Sequence, residues 1–247
     1  MIATVTLNPA IDRTLEVPGF QVGQHARARL VALVPAGKGV NVARGLARLG
    51  TPAVACGLVG RREEAAYAED LAAEGVRCEM TPVPGVTRTN TTVLDPDAGT
   101  TTHLREEGFA VGAGDLARLR ARLAAVIEDD TTVVFAGSLP PGVEADDLVA
   151  LLHACREAGA EAVVDTSGEP LRAAVQSGLA DTIKPNLLEL GECLGEKLAA
   201  DGAPERVAEL LERVGTVLLT LGAEGAHAVR RDEQAGEEVF GGDPVGK

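Results

Sequence analysis

Six short stretches of this 247-residue chain combine residue types that could do chemistry on a phosphorylated, hydroxyl-bearing ligand. In Ala36-Gly37-Lys38-Gly39-Val40-Asn41, two glycines let a backbone approach an anion, and Lys38 adds a full positive charge. The segment opens a helical pattern, and the first amides of a helix face anions. Asn8-Pro9-Ala10-Ile11-Asp12 puts a carboxylate just past an apolar run, where Asp12 could take two sugar hydroxyls. Asn, Pro and Asp also favour plain turns. Thr87-Arg88-Thr89-Asn90 offers a planar guanidinium for phosphate oxygens and an amide for a hydroxyl.

The other three stretches each end or follow an apolar run. Gly137-Ser138-Leu139-Pro140-Pro141-Gly142 is a compact turn with one hydroxyl, Ser138. In Lys184-Pro185-Asn186-Leu187-Leu188-Glu189, Asn186 and Glu189 are three apart at a helix start, so they share a face. Glu189 could hold Mg²⁺ through water, the usual mode for that strongly hydrated ion. The same spacing also writes a helix cap with an acidic first turn. Thr220-Leu221-Gly222-Ala223-Glu224-Gly225 supplies two glycines where a nucleotide could lie against backbone.

The elements that must position these groups follow from periodicity. Apolar runs at Ile2–Thr6, Ala53–Leu58, Thr132–Ala136, Ala162–Asp165, Thr182–Lys184 and Thr216–Thr220 read as buried strands. Helical patterns cover Asn41–Leu49, Glu63–Glu74, Gly114–Glu128, Glu144–Ala158, Glu169–Ser177, Leu187–Leu194 and Pro204–Val214. The alternation predicts an α/β fold, a mostly parallel central sheet with helices on both faces. Segments 11–34 and 87–104 break the rhythm with alternating polar and apolar residues, and read as a small antiparallel β lid. The expected core is then 1–10, 35–86 and 105–247.

No single stretch is decisive, but their order is. Together they resemble the PfkB-type, ribokinase-like carbohydrate kinases. The residues that carry this are T-L-N-P-A-I-D, A-G-K-G-V-N-V-A, T-R-T-N, G-S-L-P-P-G, K-P-N-L-L-E-L and T-L-G-A-E-G, from Met1 to about Phe240. Within the family, N-P-A-x-D and T-R-x-N look most like 1-phosphofructokinases and tagatose-6-phosphate kinases. The resemblance implies transfer of a phosphoryl group from MgATP to a sugar phosphate, most simply fructose 1-phosphate. It implies that Asp12, Gly37, Lys38 and Asn41 line the sugar pocket, with Ser138 nearby. Arg88 and Asn90, with Lys38, would hold the substrate phosphate. Lys184, Asn186 and Glu189 would serve the nucleotide phosphates and Mg²⁺, and Thr220, Gly222 and Gly225 would border ATP. A homodimer through the lid is implied too. The other readings are tagatose-6-phosphate or 6-phosphofructokinase specificity, and a sugar-phosphate-binding remnant without activity.

The family's G-A-G-D loop, whose Asp takes the proton from the attacking hydroxyl, is expected beyond Lys247, as are the fold's final helices. Gly112-Ala113-Gly114-Asp115 spells the same letters far too early, before a helix, where an acidic residue is explained by capping and the helix dipole. Gly242-Asp243 is no substitute, because Pro244 follows.

Bulk properties narrow the classes further. A net charge of −14 and a pI near 4.7 leave no basic stripe for nucleic acid and argue against anionic membrane. No G-x-G-x-x-G follows the first strand, which excludes a dinucleotide-binding dehydrogenase. Cys56, Cys78, Cys155 and Cys193 lack metal-site spacing and read as mostly buried thiols of a cytoplasmic protein.

Overall fold

The computed structural model describes residues 1–198, 203–231 and 238–242. Thirteen strands and seven helices among them build two sheets. The first elements are β1 (Ile2–Thr6), β2 (Ala10–Glu16), β3 (Arg29–Ala36), α1 (Lys38–Arg48), β4 (Ala53–Gly60), α2 (Glu64–Ala73) and β5 (Arg77–Val83). Next come β6 (Arg88–Asp95), β7 (Thr100–Leu104), α3 (Ala113–Ala124), β8 (Thr132–Ala136), α4 (Ala145–Glu157), β9 (Glu161–Asp165) and α5 (Gly168–Ser177). The last are β10 (Thr182–Ile183), α6 (Leu187–Leu194), α7 (Ala203–Leu210), β11 (Thr216–Thr220), β12 (Ala226–Arg230) and β13 (Glu238–Gly242).

The larger sheet has the order β13-β12-β11-β10-β9-β8-β1-β4-β5. From β11 to β5 its strands run parallel, and β12 and β13 close one edge as an antiparallel hairpin. Parallel strands buried on both faces carry continuous apolar runs, and β4 is buried at every position. Its alternate residues divide between two cores. Val54, Cys56 and Leu58 join the core that α3 to α7 share, while Ala53, Ala55 and Val59 join Val40, Ala43, Tyr67 and Leu71 of α1 and α2. Helices therefore cover both faces, as the strand–helix alternation requires. On the face away from α3 to α7, coverage thins from β8 onward. Val134, Val163 and Leu218 are only partly buried there, although their neighbours on the other face are fully so.

The smaller sheet, β3-β2-β6-β7, consists of two antiparallel hairpins. They join through β2 and β6, which run parallel, a pairing the alternation pattern did not indicate. The physical reason lies in the larger sheet. β2 follows the carboxyl end of β1 and β6 follows that of β5, so both strands leave the same edge in the same direction.

Two other differences from the sequence reading have local causes. Helix α1 starts at Lys38, three residues before the expected Asn41, because its cap comes from elsewhere in the chain. The Val40 amide donates to Thr6 Oγ1 of β1 at 3.0 Å, so no Ser or Asp is needed before the helix. Strand β5 was not anticipated, since Arg77, Glu79 and Pro82 interrupt its apolar pattern. It is an edge strand, where charge and proline are tolerated.

All four cysteines are free, with Cys56, Cys155 and Cys193 buried and Cys78 half-buried. Burial pushes the Cys56 and Cys155 thiols up to about 12. No described helix is long and apolar enough to cross a membrane.

Candidate functional site

The carboxyl ends of β1, β8, β9, β10 and β11 lie along one edge of the larger sheet, where parallel α/β sheets bind ligands. Five of the six chemistry-bearing stretches begin there: after β1, after β3 against Thr6, after β8, after β10 and at the end of β11.

At the centre is a residue the sequence reading missed. Asp165, the last residue of β9, has a side chain only 8% exposed. Its Oδ1 accepts from Lys38 Nζ at 2.7 Å and lies 3.2 Å from Lys184 Nζ. The lysine expected at the sugar and the lysine expected at the nucleotide therefore share one carboxylate oxygen. Two ammonium groups held this close repel, and the buried anion between them offsets that repulsion. The available signal was a carboxylate ending the apolar run Ala162–Asp165, which reads as a strand terminus.

The loop before α1 is built for close approach. Gly37 adopts φ 146°, and a side chain there would meet Thr6 Cγ2 at 2.7 Å. A side chain on Gly39 would meet Thr6 Oγ1 at 2.6 Å. The turn after β8 packs beside it, with Gly137 at φ 109° and its amide on Asp165 O at 3.0 Å. Ser138 is exposed there, and its Oγ accepts from Asn8 Nδ2 at 3.4 Å.

Asn8 was read as turn residue only, and its buried amide does more. Its Nδ2 donates to Glu107 O at 3.0 Å and Leu139 O at 3.3 Å, joining the β1–β2 turn, the segment before α3 and the turn after β8. Asp12 and Asn90 face each other across β2 and β6, with Asn90 Nδ2 donating to Asp12 Oδ1 at 3.1 Å. Arg88 stands at the start of the same strand. Its guanidinium donates to the carbonyls of Asn8 (3.0 Å), Pro9 (3.3 Å) and Glu106 (3.1 Å), leaving two of five donors for a ligand. Burial and the neighbouring Arg105 pull the Arg88 pKa below its ordinary value, and Asp12 opposes them. Arg105 is thus a further cation near the site. Asn41 is exposed on α1, and its Oδ1 accepts from the buried Arg44 at 3.3 Å.

On the other side, Asn186 and Glu189 form a reciprocal capping box. Asn186 Oδ1 accepts from the Glu189 amide, and Glu189 Oε2 accepts from the Asn186 amide, both at 2.9 Å. One Glu189 oxygen remains for a hydrated ion. The Thr220 amide donates to Pro185 O at 3.0 Å, and Asn186 bridges to Thr220, so the turns after β10 and β11 touch. Gly222 (φ 62°) and Gly225 (φ 96°) take conformations that favour glycine and shape the turn after β11.

Gly112-Ala113-Gly114-Asp115 opens α3 one residue after Val111, whose amide donates to Pro141 O at 2.9 Å. Asp115 Oδ2 accepts from the Gly112 amide at 2.9 Å, and Oδ1 pairs with Arg118 at 2.6 Å. Both contacts lie within the first turns of α3. Gly241 and Gly242 pair with β12, and Asp243 lies outside the described residues.

A sheet edge that gathers lysines, glycine turns and a helix amino-terminus defines a binder of phosphorylated ligands. Residues 5–241 match the pfkB family carbohydrate kinase. The chain is 37% identical over 235 residues to 1-phosphofructokinase of Rhodobacter capsulatus, covering 94% of this chain and 74% of that protein. It is 34% identical over 236 residues to the 1-phosphofructokinase of Xanthomonas campestris, with the same coverage. Among solved structures, phosphofructokinase-2 from Escherichia coli in complex with fructose-6-phosphate superposes with a TM-score of 0.90 at 28% identity. That match covers 99% of this chain and 80% of the other. The chain belongs to the pfkB family of carbohydrate kinases, phosphotransferases with an alcohol acceptor.

The two carboxylates separate by their roles. Asp165→Asn removes an anion shared by two ammonium groups and should cost about 1.5–3 kcal/mol. Asp115→Asn loses a capping contact and should cost at most about 1 kcal/mol. Paired denaturant melts measure both, and equal losses would contradict the assignment.

Proposed function

We propose that this sugar kinase phosphorylates fructose 1-phosphate on its free primary hydroxyl, using MgATP, to give fructose 1,6-bisphosphate. The observation that carries the reading is the Asp165 carboxylate shared by Lys38 and Lys184. It sets the two groups that would hold the two substrates side by side. The identity to two 1-phosphofructokinases supports the choice of sugar.

In this reading Asp12 and Asn90 take sugar hydroxyls, with Asn41 and Ser138 at the rim. Lys38, the first amides of α1 and the remaining Arg88 donors hold the substrate phosphate, in the positive potential Arg105 adds. Lys184 neutralises the nucleotide phosphates, Asn186 positions Glu189, and Thr220, Gly222 and Gly225 border the nucleotide. A Mg²⁺ at this site would be held mainly by phosphates and water, with Glu189, whose Oε2 is taken by the Asn186 amide, the carboxylate that would bind its water. When bound, the ion neutralises charge on the transferring phosphoryl group. The acceptor hydroxyl oxygen bonds to the γ-phosphorus, the bond to the bridging oxygen breaks, and ADP leaves. The hydroxyl proton goes to a base, a role assigned to none of the described residues. Positioning and charge neutralisation supply most of the catalysis.

The smaller sheet is proposed as a lid, spanning 11–34 and 87–104, and as the surface of a homodimer. Strand β3 and the segment leading to it expose the apolar residues Phe20, Val22, Leu30, Val31, Leu33 and Val34, which mark an interaction surface. Phosphofructokinase-2 from Escherichia coli has a tetrameric inhibited form.

Calorimetry with fructose 1-phosphate, fructose 6-phosphate and tagatose 6-phosphate tests the substrate. Fructose 1-phosphate should bind at least about tenfold tighter, the worth of one well-placed charge-assisted hydrogen bond. Arg88→Ala should weaken it further while MgATP binding holds. Equal affinity for all three sugars would overturn the assignment.

Sedimentation tests the dimer. The native chain should sediment as a dimer at micromolar concentration and Leu33→Asp as a monomer, since a buried unpaired charge costs several kcal/mol. A native monomer would contradict the interface.

A further inference from the structure

Helix α2 and its two cap positions carry a stripe of four polar side chains at positions 63, 67, 70 and 74, spaced to lie on one face. Each meets a place where the chain crosses between the two sheets. Glu63 Oε2 accepts from the Thr87 amide at 2.9 Å, just before β6. Asp70 and Glu74 both pair with the buried Arg44, whose Nη1 donates to Pro35 O at 2.7 Å. Between them stands Tyr67, fully buried, with its hydroxyl oxygen 2.7 Å from Ala10 O and 2.7 Å from Ala36 O. The Ala36 amide donates back to that hydroxyl at 3.3 Å.

Ala10 and Ala36 are register partners, the first residue of β2 and the last of β3. They are the two points where this hairpin leaves the core. Asp12 lies two residues beyond Ala10, and Lys38 lies two residues beyond Ala36. We propose that the Tyr67 hydroxyl is a positioning residue for the sugar-phosphate pocket, pinning both crossings at one point and so fixing the separation of Asp12 from Gly37 and Lys38. The inference rests on the sugar-phosphate reading of that pocket.

The physical case is that the hydroxyl is not required for packing. The ring already fills the core with Val40, Ala43, Leu71 and Met80. A hydroxyl in that place must find partners, or its burial is costly. Its single proton goes to Ala10 O or Ala36 O, and its oxygen accepts from the Ala36 amide, so its loss loosens both crossings at once. Burial pushes the phenol pKa far above its ordinary value, which keeps the donor proton in place at every working pH.

Tyr67→Phe removes the hydroxyl and keeps the ring, so the fold should survive. Two measurements on the full chain judge it, calorimetry with fructose 1-phosphate and with MgATP, and amide hydrogen exchange. Fructose 1-phosphate affinity should fall about five- to tenfold while that for MgATP stays within about twofold, the loss of one buried hydrogen bond felt on one side only. Exchange should quicken at Ile11, Asp12 and Ala36 and stay unchanged in α4 and β9. Unchanged fructose 1-phosphate affinity would overturn the proposal. So would equal loss for both ligands with faster exchange throughout, which marks Tyr67 as a core residue only. If the native chain binds no sugar phosphate, the substrate reading falls instead, and exchange alone judges the pin. Hinge amides that exchange no faster in Tyr67→Phe would then overturn it.

Discussion

One buried carboxylate sets the terms for everything around it. Asp165 sits where a central strand ends, with ammonium groups from two distant parts of the chain on the same oxygen. In a protein of net charge −14, positive potential for phosphorylated ligands has to be concentrated locally. Two lysines placed side by side would do so, but their repulsion would drive them apart. The anion between them holds the pair together, and its burial strengthens both attractions. Gly37, Gly39 and Gly137 then matter because they let backbone come close to this cluster without side chains in the way.

The second constraint is the attachment of the smaller sheet. Its strands carry Asp12, Arg88 and Asn90, yet its own core is thin, so its position depends on how the crossings are tied down. Asn8, Arg88 and Tyr67 all spend side-chain donors on backbone carbonyls at those crossings. Carbonyls at such places have lost their strand partners, and a buried one left unpaired is costly. Arg88 shows the consequence most clearly. The same guanidinium that could hold a phosphate is first a tether between β6 and the turn after β1, so binding and architecture are not separable at that residue.

Much of this was legible in the sequence, and the rest was hidden for definable reasons. The six apolar runs all became parallel strands of the larger sheet, whose central position keeps them apolar almost throughout. The motif residues were legible where glycine or proline marked a turn. Asp165 was not, because a single carboxylate at the end of Ala162–Asp165 looks like any strand terminus until the fold brings Lys38 and Lys184 to it. Tyr67 was hidden in the helical pattern of Glu63–Glu74, where an aromatic residue reads as core. The start of α1 was misplaced because its capping hydroxyl, Thr6, is more than thirty residues away in the chain. Gly112–Asp115 shows the opposite error that a letter match invites; its place before a helix already reads as a cap, and Asp115 accepts from the Gly112 amide.

The central claim is that the Lys38 and Lys184 sides of Asp165 hold two substrates next to each other. A crystal structure of the chain with fructose 1-phosphate and a non-hydrolysable ATP analogue tests it most directly. The account predicts the sugar phosphate on Lys38 and the nucleotide phosphates on Lys184. It places the free primary hydroxyl about 3–3.5 Å from the γ-phosphorus, the distance of a reactive pair. A sugar phosphate bound away from Lys38, or a hydroxyl turned away from the nucleotide, would contradict it.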